Sequence, residues 1–169
     1  MDTATFYATA SALCFTLLGF WWVVVEFRHA ELTRDPGSRT FTFLVSLHFI
    51  VPGLVSLASL LATDALWRVA FGLAGLTGMA AVIVGMRNVA ARPGPLRGLG
   101  RAAWLGVPLY GLLTLVAAVP DVARTSLQLE PLQVEGFILL VVLLLGILLA
   151  WTLFTGQLAD AEEAPGGRG

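Results

Sequence analysis

Hydrophobic positions along the chain gather into five long runs, at about residues 5–25, 41–62, 66–86, 102–119 and 135–155, separated by short polar segments. Each run approaches the roughly 20 residues that a helix needs to cross a hydrocarbon core. The expected fold is therefore an all-α integral membrane protein. It is a five-transmembrane-helix bundle in a single domain over residues 1–158, with a disordered cytoplasmic tail at 159–169. The first run has no positive charge before it and is too long for a secretory signal, so it reads as a retained membrane helix. Residues 63–65 are too few for anything but a tight hairpin between the second and third runs. Pro93, Gly94, Pro95, Gly98 and Gly100 predict a mobile loop at 88–100, and Pro120 stops the fourth run before a short amphipathic turn within 121–133. No internal repeat of the inverted-half transporter type is present.

Polar and small residues within the runs follow helical spacing. At about 100° per residue, Thr5, Thr9 and Thr16 fall within about 40° of one another, and Ala12, Gly19 and Glu26 extend the stripe. In the second run Thr42, Ser46, Gly53 and Ser56 share an arc of about 80°, with His48, Pro52 and Ser59 beside it. These two helices are expected to turn those faces away from lipid. Gly75, Gly78 and Gly85 share one side of the third run, a spacing that lets helix backbones approach closely in lipid. The fifth run has no polar side chain between Phe137 and Ala150, so it is expected to face lipid or a neighbouring subunit.

Composition narrows the class. Of 169 residues, 57% are hydrophobic and only 12% charged, where soluble domains carry roughly 25%. A water-soluble monomer is excluded. All 10 basic residues are arginine; without lysine there is no Schiff-base cofactor and no phosphate-loop lysine. Arg28, Arg34, Arg39, Arg87, Arg92, Arg97, Arg101 and Arg168 fall in alternate connections and the tail, whereas Arg68 and Arg124 fall at the opposite ends. The positive-inside rule then places the N-terminus outside and the C-terminus in the cytoplasm. Trp21, Trp22, Trp67, Trp104 and Trp151 all lie near span ends, as interfacial anchors do. Cys14 is alone and reads as a buried small hydrophobe. A net charge of −1 gives no footprint for nucleic acid.

Little covalent chemistry is left. His48 is the one readily titratable side chain deep in a predicted span, and Pro52 frees the His48 carbonyl one turn earlier. Its expected environment is a bond to a neighbouring helix, with a gate or proton sensor as the functional alternative. Glu26, Arg28, His29 and Glu31 form a charged cluster at the cytoplasmic end of the first run. Glu26 and His29 have the spacing used in di-iron bundles, but the second pair such a site needs is absent, so no metal is expected. Haem ligation lacks a second histidine in the membrane, and a serine hydrolase lacks partners. Neither an enzyme nor a cofactor is expected. Five spans in about this length also describe the tryptophan-rich sensory protein family, but its Trp-x-Pro-Pro type motif is absent, and span count alone assigns no family.

The expected function is a small homo-oligomeric channel or transport protein for ions or small solutes in a plasma membrane, of the bacterial cytoplasmic kind. Thr5, Thr9, Thr16, Ser46, His48, Pro52 and Ser56 would line or gate the path, with Glu26, Arg28, His29 and Glu31 at the cytoplasmic mouth. The alternative is a non-catalytic accessory or assembly subunit that docks on another membrane protein through the Gly75, Gly78 and Gly85 face.

Overall fold

The computed structural model is all-helical and describes residues 2–32, 36–61, 63–90 and 102–162. The helices are α1 (Thr3–Phe27), α2 (His29–Leu32), α3 (Pro36–Ser59), α4 (Asp64–Ala90), α5 (Gly106–Ala118), α6 (Pro120–Val122) and α7 (Pro131–Glu162), with a π-helical turn at Ala123–Leu127 between α6 and α7. α1, α3, α4 and α7 are long and apolar enough to cross a membrane. α5, within the expected fourth run, is a shorter apolar helix. Its 13 residues rise only about 20 Å, against a hydrocarbon core of about 30 Å. Val119 leaves helical geometry at φ −128°, ψ 70° and Pro120 starts α6, while residues 104 and 105 form a turn ahead of α5.

Local chemistry explains the boundaries. Asp2 caps α1, its carboxylate accepting the Thr5 N–H at 2.6 Å, and this bond holds the carboxyl below its ordinary range. Pro131 begins α7, and Gln133 Oε1 accepts the Glu130 N–H at 3.2 Å, which is the reciprocal arm of a capping box. Arg68 closes the far end of α5, donating from Nε to the Ala117 carbonyl and from Nη2 to that of Ala118, both at 3.0 Å. Those carbonyls have no partner within α5, so a cation there satisfies them and complements the helix dipole. α7 ends at Glu162; residues 163–169 of the expected tail and 91–100 of the expected mobile loop lie outside the described residues.

α3 is the centre of the bundle. Of its apolar window 72% is buried, against 17% for α1. α1 packs antiparallel along it, with Ser11 Oγ donating to the Gly53 carbonyl at 3.1 Å and Trp21 Nε1 donating to Ser46 Oγ at 3.1 Å. Trp21 is thus a buried cross-helix donor instead of an interfacial anchor, and Trp67 is buried as well, whereas Trp22, Trp104 and Trp151 are exposed. The other side of α3 meets α7, whose Ile138, Leu139, Val142, Leu143, Leu145, Leu149 and Leu153 are in the core. The fifth run, expected to face lipid or a neighbouring subunit, thus turns only the face with Phe137, Leu144, Leu148 and Trp151 outward and packs the other on its own chain.

Glycine sets the spacing between helices. A methyl group at Gly75 would lie 2.7 Å from the Tyr110 carbonyl oxygen and 2.9 Å from the Thr114 nitrogen, and one at Gly78 would strike the Tyr110 ring. One at Gly85 would strike the Leu44 side chain, and one at Gly146 would stand 2.7 Å from the His48 Cβ. The small side of α4 is therefore filled by α5 and α3 of the same chain. Gly146→Ala is expected to destabilise the detergent-solubilised protein by about 1–3 kcal/mol through overpacking. Gly19→Ala, where nothing lies within 4 Å, is expected to leave thermal stability unchanged or slightly raised; equal losses at both positions would contradict this packing.

Candidate functional site

The polar positions divide into two sets. Thr5, Thr9 and Thr16 are exposed on the outward side of α1, together with Ala12, Gly19 and Glu26. Thr9 Oγ1 donates to the Thr5 carbonyl and Thr16 Oγ1 to that of Ala12, each at 2.8 Å. Each hydroxyl proton is thus committed to its own helix, and the oxygen lone pairs remain as acceptors. The stripe runs nearly the length of α1 on an exterior that is otherwise dominated by Leu, Val, Phe and Trp.

The second set is internal. Ser46, His48, Pro52 and Ser56 are buried in α3, so the protomer does not bring them to the same surface as the α1 threonines. Ser46 Oγ donates to the Thr42 carbonyl at 3.1 Å while accepting from Trp21, which makes it a helix-to-helix tie. His48 Nδ1 lies 2.7 Å from the Leu44 carbonyl on its own helix. The expected bond to a neighbouring helix is therefore replaced by one within α3. Because a carbonyl only accepts, Nδ1 carries the proton, and neutral His48 presents a bare lone pair at Nε2. That atom is buried and unpartnered. Its neighbours are Gly106, where an added methyl would stand 3.2 Å from Nε2, and the Tyr110 ring, 5.7 Å away between centroids. The Tyr110 hydroxyl is likewise buried without a partner.

His48, Pro52 and Ser56 repeat at four-residue steps and so follow one side of α3. The Ser56 hydroxyl is buried and unpartnered, as are both carboxylate oxygens of Glu135. Glu135 stands four residues into α7, about 6 Å from its start, and is fully buried. In the sequence Glu135 stands at the edge of the fifth apolar run. Nearby, Tyr7 donates its hydroxyl to the Leu132 carbonyl at 2.6 Å and lies within electrostatic reach of Glu135. Tyr7 also meets Phe6 and Phe71 edge to face, and Trp67 meets Phe71 in the same way, so the carboxyl sits beside an aromatic cluster.

At the opposite end, Glu26 and His29 are exposed, and the Arg28 guanidinium lies 4.6 Å over the Phe154 ring of α7. This cation–π contact ties the α1–α2 junction to the last helix. The side chain of Glu31 lies outside the described residues. Among the described residues no three His, Cys, Asp or Glu side chains converge as a metal site. Cys14 is buried against Gly53. An apolar hollow on α4, lined by Leu76, Thr77, Ala80, Ala81 and Val84, carries no converging polar groups.

Cysteines placed one at a time at Thr9 and Thr16 are expected to react with a thiol reagent in detergent, and those at Ser46 and Ser56 to stay protected until denaturation. Fast labelling at Ser46 would contradict the division. No protein-family model, curated protein or solved structure matches the chain, so it is the length and composition of the four long apolar helices that mark it as an integral membrane protein.

Proposed function

We propose that the protein is a small homo-oligomeric channel or transport protein for ions or small solutes, in which the hydroxyl stripe of α1 faces a passage shared between copies. The observation that carries this reading is the outward direction of Thr5, Thr9 and Thr16. Among the described residues the protomer packs around a largely buried α3, whereas a ring of copies would gather these oxygens around water. Hydroxyl lone pairs facing a passage substitute for part of the hydration of a cation, so cations and hydrogen-bond donors are the favoured cargo. Glu26, at one end of the stripe, would add negative charge at the mouth.

In the proposed orientation the α1 N-terminus is outside and the C-terminus cytoplasmic, in a plasma membrane of the bacterial cytoplasmic type. The arginine distribution supports it. It requires the segment containing α5 to complete a crossing with its flanking turns. Ser46, His48 and Ser56 then belong to the wall behind the passage and not to its lining. An accessory subunit would have to dock through another surface than the α4 glycines, since α5 and α3 fill that side.

Flux into liposomes tests the reading. Thr9→Leu is expected to slow cation flux about tenfold, as raising a barrier by about 1.4 kcal/mol does, with folding unchanged. A monomeric, impermeant preparation of folded protein would overturn the proposal, and a stoichiometric co-purifying partner would favour the accessory role. In a Cys14→Ala background, cysteines at Asp64 and Gly98 should label from opposite sides of the membrane; labelling from one side would refute the five-crossing orientation.

A further inference from the structure

Glu135 has no role in the passage proposed above, yet it is the most unusual group in the bundle. It is 0% exposed, and neither carboxylate oxygen has a hydrogen-bond partner. An ionised carboxylate left bare in a low-dielectric core is too costly to persist, so the group either takes up a cation or holds a proton. A multivalent ion needs further charged ligands, and among the described residues no acidic, histidine or cysteine cluster joins it. One proton needs only the carboxyl and one acceptor.

Helix register supplies the surroundings. Ser11 bonds to the Gly53 carbonyl; one turn further along each of these antiparallel helices, Tyr7 and Ser56 come to the same level. A methyl group at Gly136 would stand 2.7 Å from the Phe6 ring, which sets Glu135 at that level too. Ser56 Oγ, buried and unpartnered, offers lone pairs there, and Tyr7 fixes the first turn of α7 through the Leu132 carbonyl. The ionisable groups on the packed elements are few. α1 contributes Tyr7, with Asp2 just ahead of the helix. The outer half of α3 has none beyond His48, and α5 has only Tyr110. On α4, Asp64 opens the helix and Arg68 is bonded to the end of α5. In the turn before α7, Arg124 is paired with Asp121 and Glu130 at 3.7 and 3.6 Å. Neither arginine donates a hydrogen bond to Glu135, whose two oxygens are both without a partner.

We propose that Glu135 is a proton-binding site inside the bundle, which exchanges its proton with the aqueous phase at the end where α7 begins. Its position about 6 Å from the start of α7 keeps that route short. The site does not depend on transport, since an impermeant protein would carry it equally.

The test uses the full chain in lipid vesicles, with dicyclohexylcarbodiimide as probe. This apolar reagent reacts with a protonated carboxyl: the acid proton passes to a carbodiimide nitrogen and the carboxyl oxygen bonds to the central carbon. The adduct rearranges to a stable N-acylurea with no leaving group. Labelling mapped to Glu135 is expected near neutral pH, falling at least tenfold as pH rises, and absent in Glu135→Gln, which keeps the shape of the neutral acid. In parallel, a protonated-carboxyl infrared band present in the wild type and missing in Glu135→Gln should fade over the same pH interval. A band that persists wherever the protein stays folded would overturn exchange. Absence of both label and band would overturn protonation, and protection by sodium ions at constant pH would replace the proton with an alkali cation.

Discussion

Close approach of helix backbones at glycine is the constraint on which the rest of the structure depends. In lipid the tails are as apolar as leucine, so helices gain little from merely touching and must gain from packing and hydrogen bonds. Gly75 and Gly78 let α5 press Tyr110 and Thr114 onto α4, and Gly146 lets α7 close on α3 at His48. This tightness seals the interior. It leaves His48 Nε2, Ser56 Oγ, the Tyr110 hydroxyl and the Glu135 carboxylate away from solvent without partners, and it leaves α1, the least enclosed long helix, to carry the outward hydroxyls.

The two polar sets differ in what their environment permits. Thr9 and Thr16 are satisfied by their own helix and retain acceptor capacity toward whatever faces α1. The interior groups have no such outlet. His48 is held as one tautomer by Leu44, and Glu135 is fully buried with neither carboxylate oxygen hydrogen-bonded. Such sites are expensive in a membrane protein and characteristically functional. Their separation is consistent with the proposal that the passage and the proton site are distinct.

Much of the fold was legible in the sequence because apolar run length maps onto helix length. The short 63–65 connection and the glycine spacing on α4 are read in the same direct way. Facing was not legible. Periodicity shows that Thr5, Thr9 and Thr16 share a side, but in lipid an apolar face is equally suited to the interior or the exterior, so the pattern carries no sign. α1 and α3 looked alike, and the structure turns one stripe out and buries the other. Glu135 was missed for a related reason. An acidic residue at the edge of a run normally marks the water boundary, and only the packing of α1 against the first turns of α7 draws it under cover. The shortness of α5 against its apolar run comes mainly from the turn at residues 104 and 105 ahead of Gly106, which hydropathy does not reveal, whereas its end before Pro120 was legible.

Water contact within the membrane tests the central division most directly. Water-edited solid-state NMR on the protein in bilayers reports which side chains receive polarisation from water. The expected result is transfer to Thr9 and Thr16, within the apolar length of α1, with none to Ser46 on α3. Transfer to Ser46 together with dry Thr9 and Thr16 would contradict it.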